Sequence, residues 1–231
     1  MSSFEKNYEL ALKNAKRLSD KILIDGKLIS AKTDKKIPVL NPSTGENIGS
    51  APQCDKNDVN IAVESAFKAF QKWKKIPARE RGKMVAAGAK RLEERKSEIE
   101  TLLSLDTGNA LRTQAVPETA ASIELINMFA GLSGELKGEN YPPNIPNTIH
   151  YTTRDPIGVV CAIVPWIASL FLTFAKIDPE IVAGISELKY SSVKALSKIQ
   201  NFTLHAATAN IMFSNAKQVF RGTALTAKQY A

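Results

Sequence analysis

Hydrophobic residues repeat at helical spacing over most of the first 135 positions of the chain. A short amphipathic helix is predicted over residues 4–18, and a longer helix follows Asp55, a residue type that often caps helix amino termini. Apolar residues of the longer helix recur every three or four positions, and we expect this stripe to be buried. The stripe consists of Val59, Ala62, Val63, Ala66, Phe67, Phe70 and Trp73.

Three further helices are predicted before residue 135. Pro77 is suited to open the first of them, which runs to about Arg95. Ser97 and Glu100 have the spacing of a capping box for the second, which ends near Gly108. The third covers residues 114–133.

Strand patterns flank this helical region. Asp25-Gly26 predicts a two-residue hairpin turn between Ile22–Ile24 and Leu28–Ile29. Ile37 to Leu40 is a second strand candidate, and residues 148–154 alternate as an exposed strand would.

The second half of the chain reads as strand, helix and strand. Gly158 to Val164 is a continuous apolar run, which is typical of a strand buried on both faces. Residues 168–183 are helical in composition, and Ile185 to Lys189 could form the next parallel strand. Ligands bind beyond the carboxyl ends of such strands, so Pro165–Ile167 and Lys189 are the positions at which to look for a site.

The distribution of charge and the spacing of cysteine and histidine argue against a nucleic-acid site and a metal site. The net charge is +8, and residues 189–231 contribute six basic and no acidic side chains. The basic groups are dispersed, so a solvated tail is favoured over a nucleic-acid site. No His or Cys has metal-ligand spacing, which predicts no metal site. Pro165 interrupts the longest apolar run, and no signal-peptide pattern is present, so we expect a cytoplasmic protein with no membrane span.

Five short motifs, in this order, resemble the aldehyde dehydrogenase superfamily between about Ile22 and Lys189. They are Asp25-Gly26, Asn41-Pro42-Ser43-Thr44-Gly45-Glu46, Leu105-Asp106-Thr107-Gly108, Ala130-Gly131, and the segment from Asp155 to Trp166. The resemblance implies an α/β fold: the amino-terminal part of an aldehyde dehydrogenase-like fold, with a helical layer and an incomplete Rossmann-like parallel sheet. Residues 1–147 and 155–189 would form a partial cofactor-binding domain, residues 148–154 part of a bridging strand element used in oligomers, and residues 190–231 a divergent basic tail.

The resemblance also implies a cofactor, NAD or NADP, and contacts to it from Ile163, Val164, Pro165, Trp166 and Lys189. Two departures from the family pattern weaken the case for activity and for cofactor binding. Ile167 stands where the family has an asparagine that stabilises the oxyanion, and Ser192 stands where a glutamate holds the adenosine ribose. We therefore expect weak cofactor binding or none.

After Lys189 the family motifs are no longer recognisable, and no catalytic residue is assigned: no cysteine matches the family's nucleophile and no glutamate its general base. Three hypotheses stay open at this point. The chain is a truncated homologue that is inactive alone, one half of a split enzyme, or a non-enzymatic binding or regulatory module. An incomplete sheet would leave an unpaired edge, so we also expect self-association.

Overall fold

A computed structural model of the protein describes residues 3–156, 158–160, 162 and 164–183. Helices and three small antiparallel sheets alternate along the chain. The helices are α1 (Ser3–Leu18), α2 (Lys56–Trp73), α3 (Ala78–Glu94), α4 (Lys96–Thr107), α5 (Val116–Gly131) and α6 (Ser169–Ala183). The strands are β1 (Lys21–Ile24), β2 (Lys27–Ser30), β3 (Lys36–Leu40), β4 (Asn47–Pro52), β5 (Asn140–Tyr141) and β6 (His150–Tyr151). These elements agree with the α/β class and the helical layer expected from the sequence.

The predicted hairpin at Asp25-Gly26 is confirmed. Asp25 has a φ of 51° and Gly26 a φ of 70°, and β1 pairs with β2 on either side of them. Two consecutive left-handed residues give the turn a twist that matches the twist of the strands. The second hairpin, β3–β4, is built on the turn from Asn41 to Gly45, in which the Asn41 side chain accepts a hydrogen bond from the backbone N–H of Ser43.

Helix α2 begins as predicted, but its apolar stripe is only partly buried. The carboxylate of Asp55 accepts from the N–H of Asp58, and the Asp58 side chain accepts from the N–H of Asp55. Phe70 and Trp73 are buried, whereas Val63 and Phe67 are 42% and 55% exposed. The expectation of one buried stripe was wrong at these two positions, because only one side of α2 packs on the described residues.

Helix α4 does not use the predicted capping box. It begins at Lys96 with Arg95 at the N-cap, so Ser97 lies within the first turn, and its backbone carbonyl accepts from the Thr101 hydroxyl. Glu100 is buried and does not bond back to the start of the helix. The end of α4 is as predicted: Gly108 adopts the left-handed conformation, with a φ of 74°.

The main core lies among α3, α5 and α6. A π-helical turn over Leu111–Ala115 leads into α5, and a 3-10 turn over Leu132–Gly134 follows it. At Gly82 the end of α5 comes so close to α3 that an added Cβ would lie 2.6 Å from the Ala130 carbonyl oxygen. The fully buried large side chains of this core are Trp73, Leu92, Leu103, Ile126, Leu170 and Phe174.

The buried strand predicted from Gly158 to Val164 is not present among the described residues of that run. Gly158 has a φ of 124°, outside the β region, and an interior strand is stabilised only when a neighbour completes its hydrogen-bond ladder. The neighbour expected over 185–189 and the tail over 190–231 lie outside the described residues. Of the alternating segment 148–154, His150–Tyr151 forms a strand paired with β5, and the backbone N–H of Thr152 donates to the carbonyl of Glu139.

Candidate functional site

The site indicated by the sequence is the turn from Val164 to Ile167, which leads into α6. Val164 is 4% exposed and anchors the turn in the protein. The side chains of Trp166 and Ile167 are 60% and 63% exposed. The turn therefore presents an indole ring and an aliphatic side chain to its surroundings.

Asn109 holds the last residue of this turn, Ile167. Its side-chain amide donates to the backbone carbonyl of Ile167 over 3.2 Å. Gly108 reverses the chain at the end of α4 and places Asn109 there, and this reversal requires a positive φ that glycine adopts without strain. The motif Leu105–Gly108 thus has a local structural role at the turn.

Glu118 of α5 holds the start of α6. One of its carboxylate oxygens accepts from the backbone N–H of Leu170 at 2.9 Å and from that of Phe171 at 3.3 Å. Burial raises the pKa of the Glu118 carboxyl, and the two N–H donors partly oppose that rise. Free N–H groups at a helix start commonly attract phosphate, but Glu118 already occupies these two.

Ile167 cannot supply a side-chain hydrogen bond to a developing oxyanion, because its side chain is a hydrocarbon. A missing oxyanion donor typically costs about 2.7–4 kcal/mol of transition-state stabilisation. Ile167 is 63% exposed, so this hydrocarbon side chain is open to its surroundings.

Cys54 is not suited to act as a nucleophile. Its thiol is free, buried, and packed with Ile22 and Ile24 of the first hairpin. Burial, together with the nearby carboxylates of Asp58 and Asp55, raises the pKa of this thiol to about 12. A thiol with such a pKa remains protonated at neutral pH, and the thiolate is the reactive form.

Two acids whose surroundings raise their pKa values were assigned no role from the sequence. Asp178 is fully buried in α6, and neither of its carboxylate oxygens has a hydrogen-bond partner among the described residues. Burial raises the pKa of Asp178 to about 8 and that of Asp106 in α4 to about 7. The signal for Asp178 was available, since it follows Leu170 and Phe174 at intervals of four on the buried stripe of α6.

The structure places three of the five predicted cofactor residues together, Val164, Pro165 and Trp166. Ile163 and Lys189 lie outside the described residues, as does Cys161. A shallow groove elsewhere, between α3 and α5, is lined by Arg79, Lys83, Asn127 and Glu135, among others, and does not include the turn.

The described residues contain no cluster of three or more His, Cys, Asp or Glu side chains arranged to hold a metal ion. None of the helices in the described part is both long and apolar enough to cross a membrane.

Comparisons with known proteins converge on one family. Residues 28–208 match the model of the aldehyde dehydrogenase family, a range that continues past Lys189. Phenylacetaldehyde dehydrogenase of Pseudomonas fluorescens is 33% identical over 190 residues, which are 79% of this chain and 38% of that protein. Cytosolic aldehyde dehydrogenase 1 of Mus musculus is 33% identical over 75% of this chain and 35% of its own length.

Solved structures give the same result. Betaine aldehyde dehydrogenase from Staphylococcus aureus, in complex with NAD⁺, superposes with a TM-score of 0.75 and is 28% identical. The superposition covers 85% of this chain and 41% of the other. The chain therefore spans about a third to two fifths of the length of the proteins that it matches.

Proposed function

The chain belongs to the aldehyde dehydrogenase family, and from this premise we propose that its residues form the family's helical cofactor-domain layer and the turn that enters the active site. The family reaction is the NAD(P)-dependent oxidation of an aldehyde to a carboxylic acid. We propose that these 231 residues do not carry out that reaction by themselves. Residues 1–147 and 155–189 would belong to the cofactor domain, and residues 148–154 to the bridging element. Residues 190–231 would form a divergent basic tail, although the family match extends into it as far as residue 208.

The observation that carries this proposal is the chemistry of the turn. By resemblance, Ile167 stands where the family has a side-chain oxyanion donor; it is exposed, and its side chain has no donor to offer. Covalent capture of an aldehyde also requires a thiolate, and Cys54 is buried with its pKa raised to about 12. For the cofactor, Ile163–Trp166 and Lys189 would give weak contact to NAD or NADP, without turnover.

The test is a spectrophotometric assay of the purified chain with NAD⁺ or NADP⁺ and a panel of short aldehydes. We expect no NADH or NADPH formation above a blank without protein. Turnover that survives repurification and disappears in a Cys161→Ala variant would overturn the proposal. Ile167→Asn is the matched variant: it restores the amide donor alone and should remain inactive, because a donor does not replace a nucleophile.

Self-association is a second part of the proposal. The β5–β6 hairpin has only two strands, and it exposes Ile149 and Tyr151 to 80% and 68%. Exposed apolar side chains beside open strand edges favour pairing with another copy. Light scattering should show concentration-dependent association that Ile149→Lys reduces; a monomer at high concentration would contradict it.

A cytoplasmic location is the last part of the proposal. The free thiol of Cys54 is compatible with a reducing compartment. Cell fractionation followed by immunoblotting tests this, and recovery of the chain in a membrane fraction would contradict it.

A further inference from the structure

One side chain connects helix α5 with helix α6, which directly follows the turn. Glu118 reaches from the first turn of α5 to the first turn of α6, 52 residues further along the chain. Its carboxylate is half-buried, and the backbone N–H groups of Leu170 and Phe171 both donate to the same oxygen. The first N–H groups of a helix have no partner within the helix, so a side chain that accepts from two of them fixes where the helix starts.

We propose that Glu118 is a positioning residue for the turn from Pro165 to Ile167. The turn is joined directly to α6, so its place follows from the place of the α6 amino terminus. The bond from Asn109 to the Ile167 carbonyl holds the last residue of the turn itself. The helical layer thus sets the position of the exposed Trp166 through two side chains, and Glu118 is the more buried of the contacts.

Glu118 acts through the reach of its carboxylate oxygen rather than through the volume of its side chain. Glutamine keeps the length and the oxygen of Glu118 but removes the charge. Aspartate keeps the charge but is one methylene shorter, so that its oxygens cannot reach both N–H groups without a shift of the helix. This pair of variants separates hydrogen-bond reach from charge, and the proposal does not rest on cofactor binding.

The experiment is amide hydrogen exchange of the full chain, resolved at residues 166–172. In Glu118→Ala and Glu118→Asp, exchange at Leu170 and Phe171 should accelerate about tenfold or more, because these N–H groups lose a hydrogen bond to a charged acceptor. Glu118→Gln should accelerate this exchange clearly less than Glu118→Asp, because the amide oxygen keeps the reach needed to accept from both N–H groups. Glu124→Ala, which removes an exposed carboxylate from the same helix, is the matched control and should leave this exchange unchanged.

Trp166 provides a second readout. Trp73 is 1% exposed and is held in the core, so changes in fluorescence anisotropy on the nanosecond scale report mainly on Trp166. Anisotropy should fall in Glu118→Asp and not in Glu118→Gln. Equal effects of Asp and Gln on exchange, or no effect of Asp, would overturn the proposal, and this comparison stands even where Glu118→Ala fails to fold.

Discussion

Replacing Asp178 by alanine should stabilise the protein, and the gain should grow with pH. The carboxyl of Asp178 is fully buried, and neither of its oxygens has a partner among the described residues. Burial raises its pKa from 3.8 to about 8. The folded state therefore binds a proton that the unfolded state releases, wherever the pH lies between these two values.

The sign and the size of the effect follow from that difference. Below about pH 4 both states are protonated and Asp178 costs nothing through ionisation. As the pH rises towards 8, stability falls by up to about 1.4 kcal/mol for each pH unit, which amounts to about 4 kcal/mol at pH 7. Relaxation of the site and entry of water reduce such penalties, so we expect a measured gain of about 2–4 kcal/mol for Asp178→Ala at pH 7.

The assay is urea unfolding of the parent chain and the variant at several pH values from 4 to 8. The difference in the free energy of unfolding between parent and variant reports on Asp178. Burial also raises the pKa values of Asp106 and Glu118, but these two residues affect both proteins alike. Asp34→Ala removes an exposed carboxylate between β2 and β3 and should change stability by less than about 0.5 kcal/mol. A difference that is constant with pH, or that favours the parent chain at pH 8, would refute the reasoning.

Three further predictions concern the thiol, a turn and the core. In Cys161→Ala the remaining thiol, Cys54, should not react with a disulfide reagent at pH 8 until denaturant is added, since its pKa is raised to about 12; reaction in the folded state would contradict this. Gly108→Ala should lower the free energy of unfolding by about 1–2 kcal/mol, because a left-handed residue would gain a Cβ only 3.0 Å from Pro42. Gly131→Ala, which meets nothing within 4 Å, is its control and should not destabilise. Leu103→Ala should lower the free energy of unfolding in urea by about 2–5 kcal/mol, because it leaves a cavity in the core. Leu10, which is 42% exposed, is the control: Leu10→Ala should lower it much less, and an equal loss would contradict the prediction.

The sequence correctly predicted the features that are determined by a few neighbouring residues. Asp25-Gly26 specifies its turn through backbone conformation, and Gly108 ends α4 for the same reason. Asp55 caps α2 through atoms within three residues of it. Such features depend on neighbours in the sequence, so the pattern alone is sufficient to find them.

Signals that depend on distant packing failed. The periodicity of α2 included Val63 and Phe67, but whether a stripe is buried depends on what covers it. Ser97 and Glu100 have capping-box spacing, yet the helix starts one residue before Ser97, because Arg95 bends the chain between α3 and α4.

At the candidate site, too, the local feature was predicted from the sequence and the distant contacts were not. Motif order located the turn at Pro165 and Trp166, but not its supports. Asn109 lies 58 residues before Ile167 in the sequence, and Glu118 lies 52 residues before Leu170. Contacts between residues so far apart leave no periodic signal in either segment.

The arrangement of the three sheets also has a consequence for how the chain folds. Each sheet pairs two strands that are consecutive in the sequence, so every described strand pairing closes a short loop. Such hairpins form in about 1–10 μs. Helix α6 is different, because it packs on α3 and α5 across the long segment that contains β5 and β6. We therefore expect α6 to dock late in folding, with mutations in its contact face accelerating unfolding more than they slow folding.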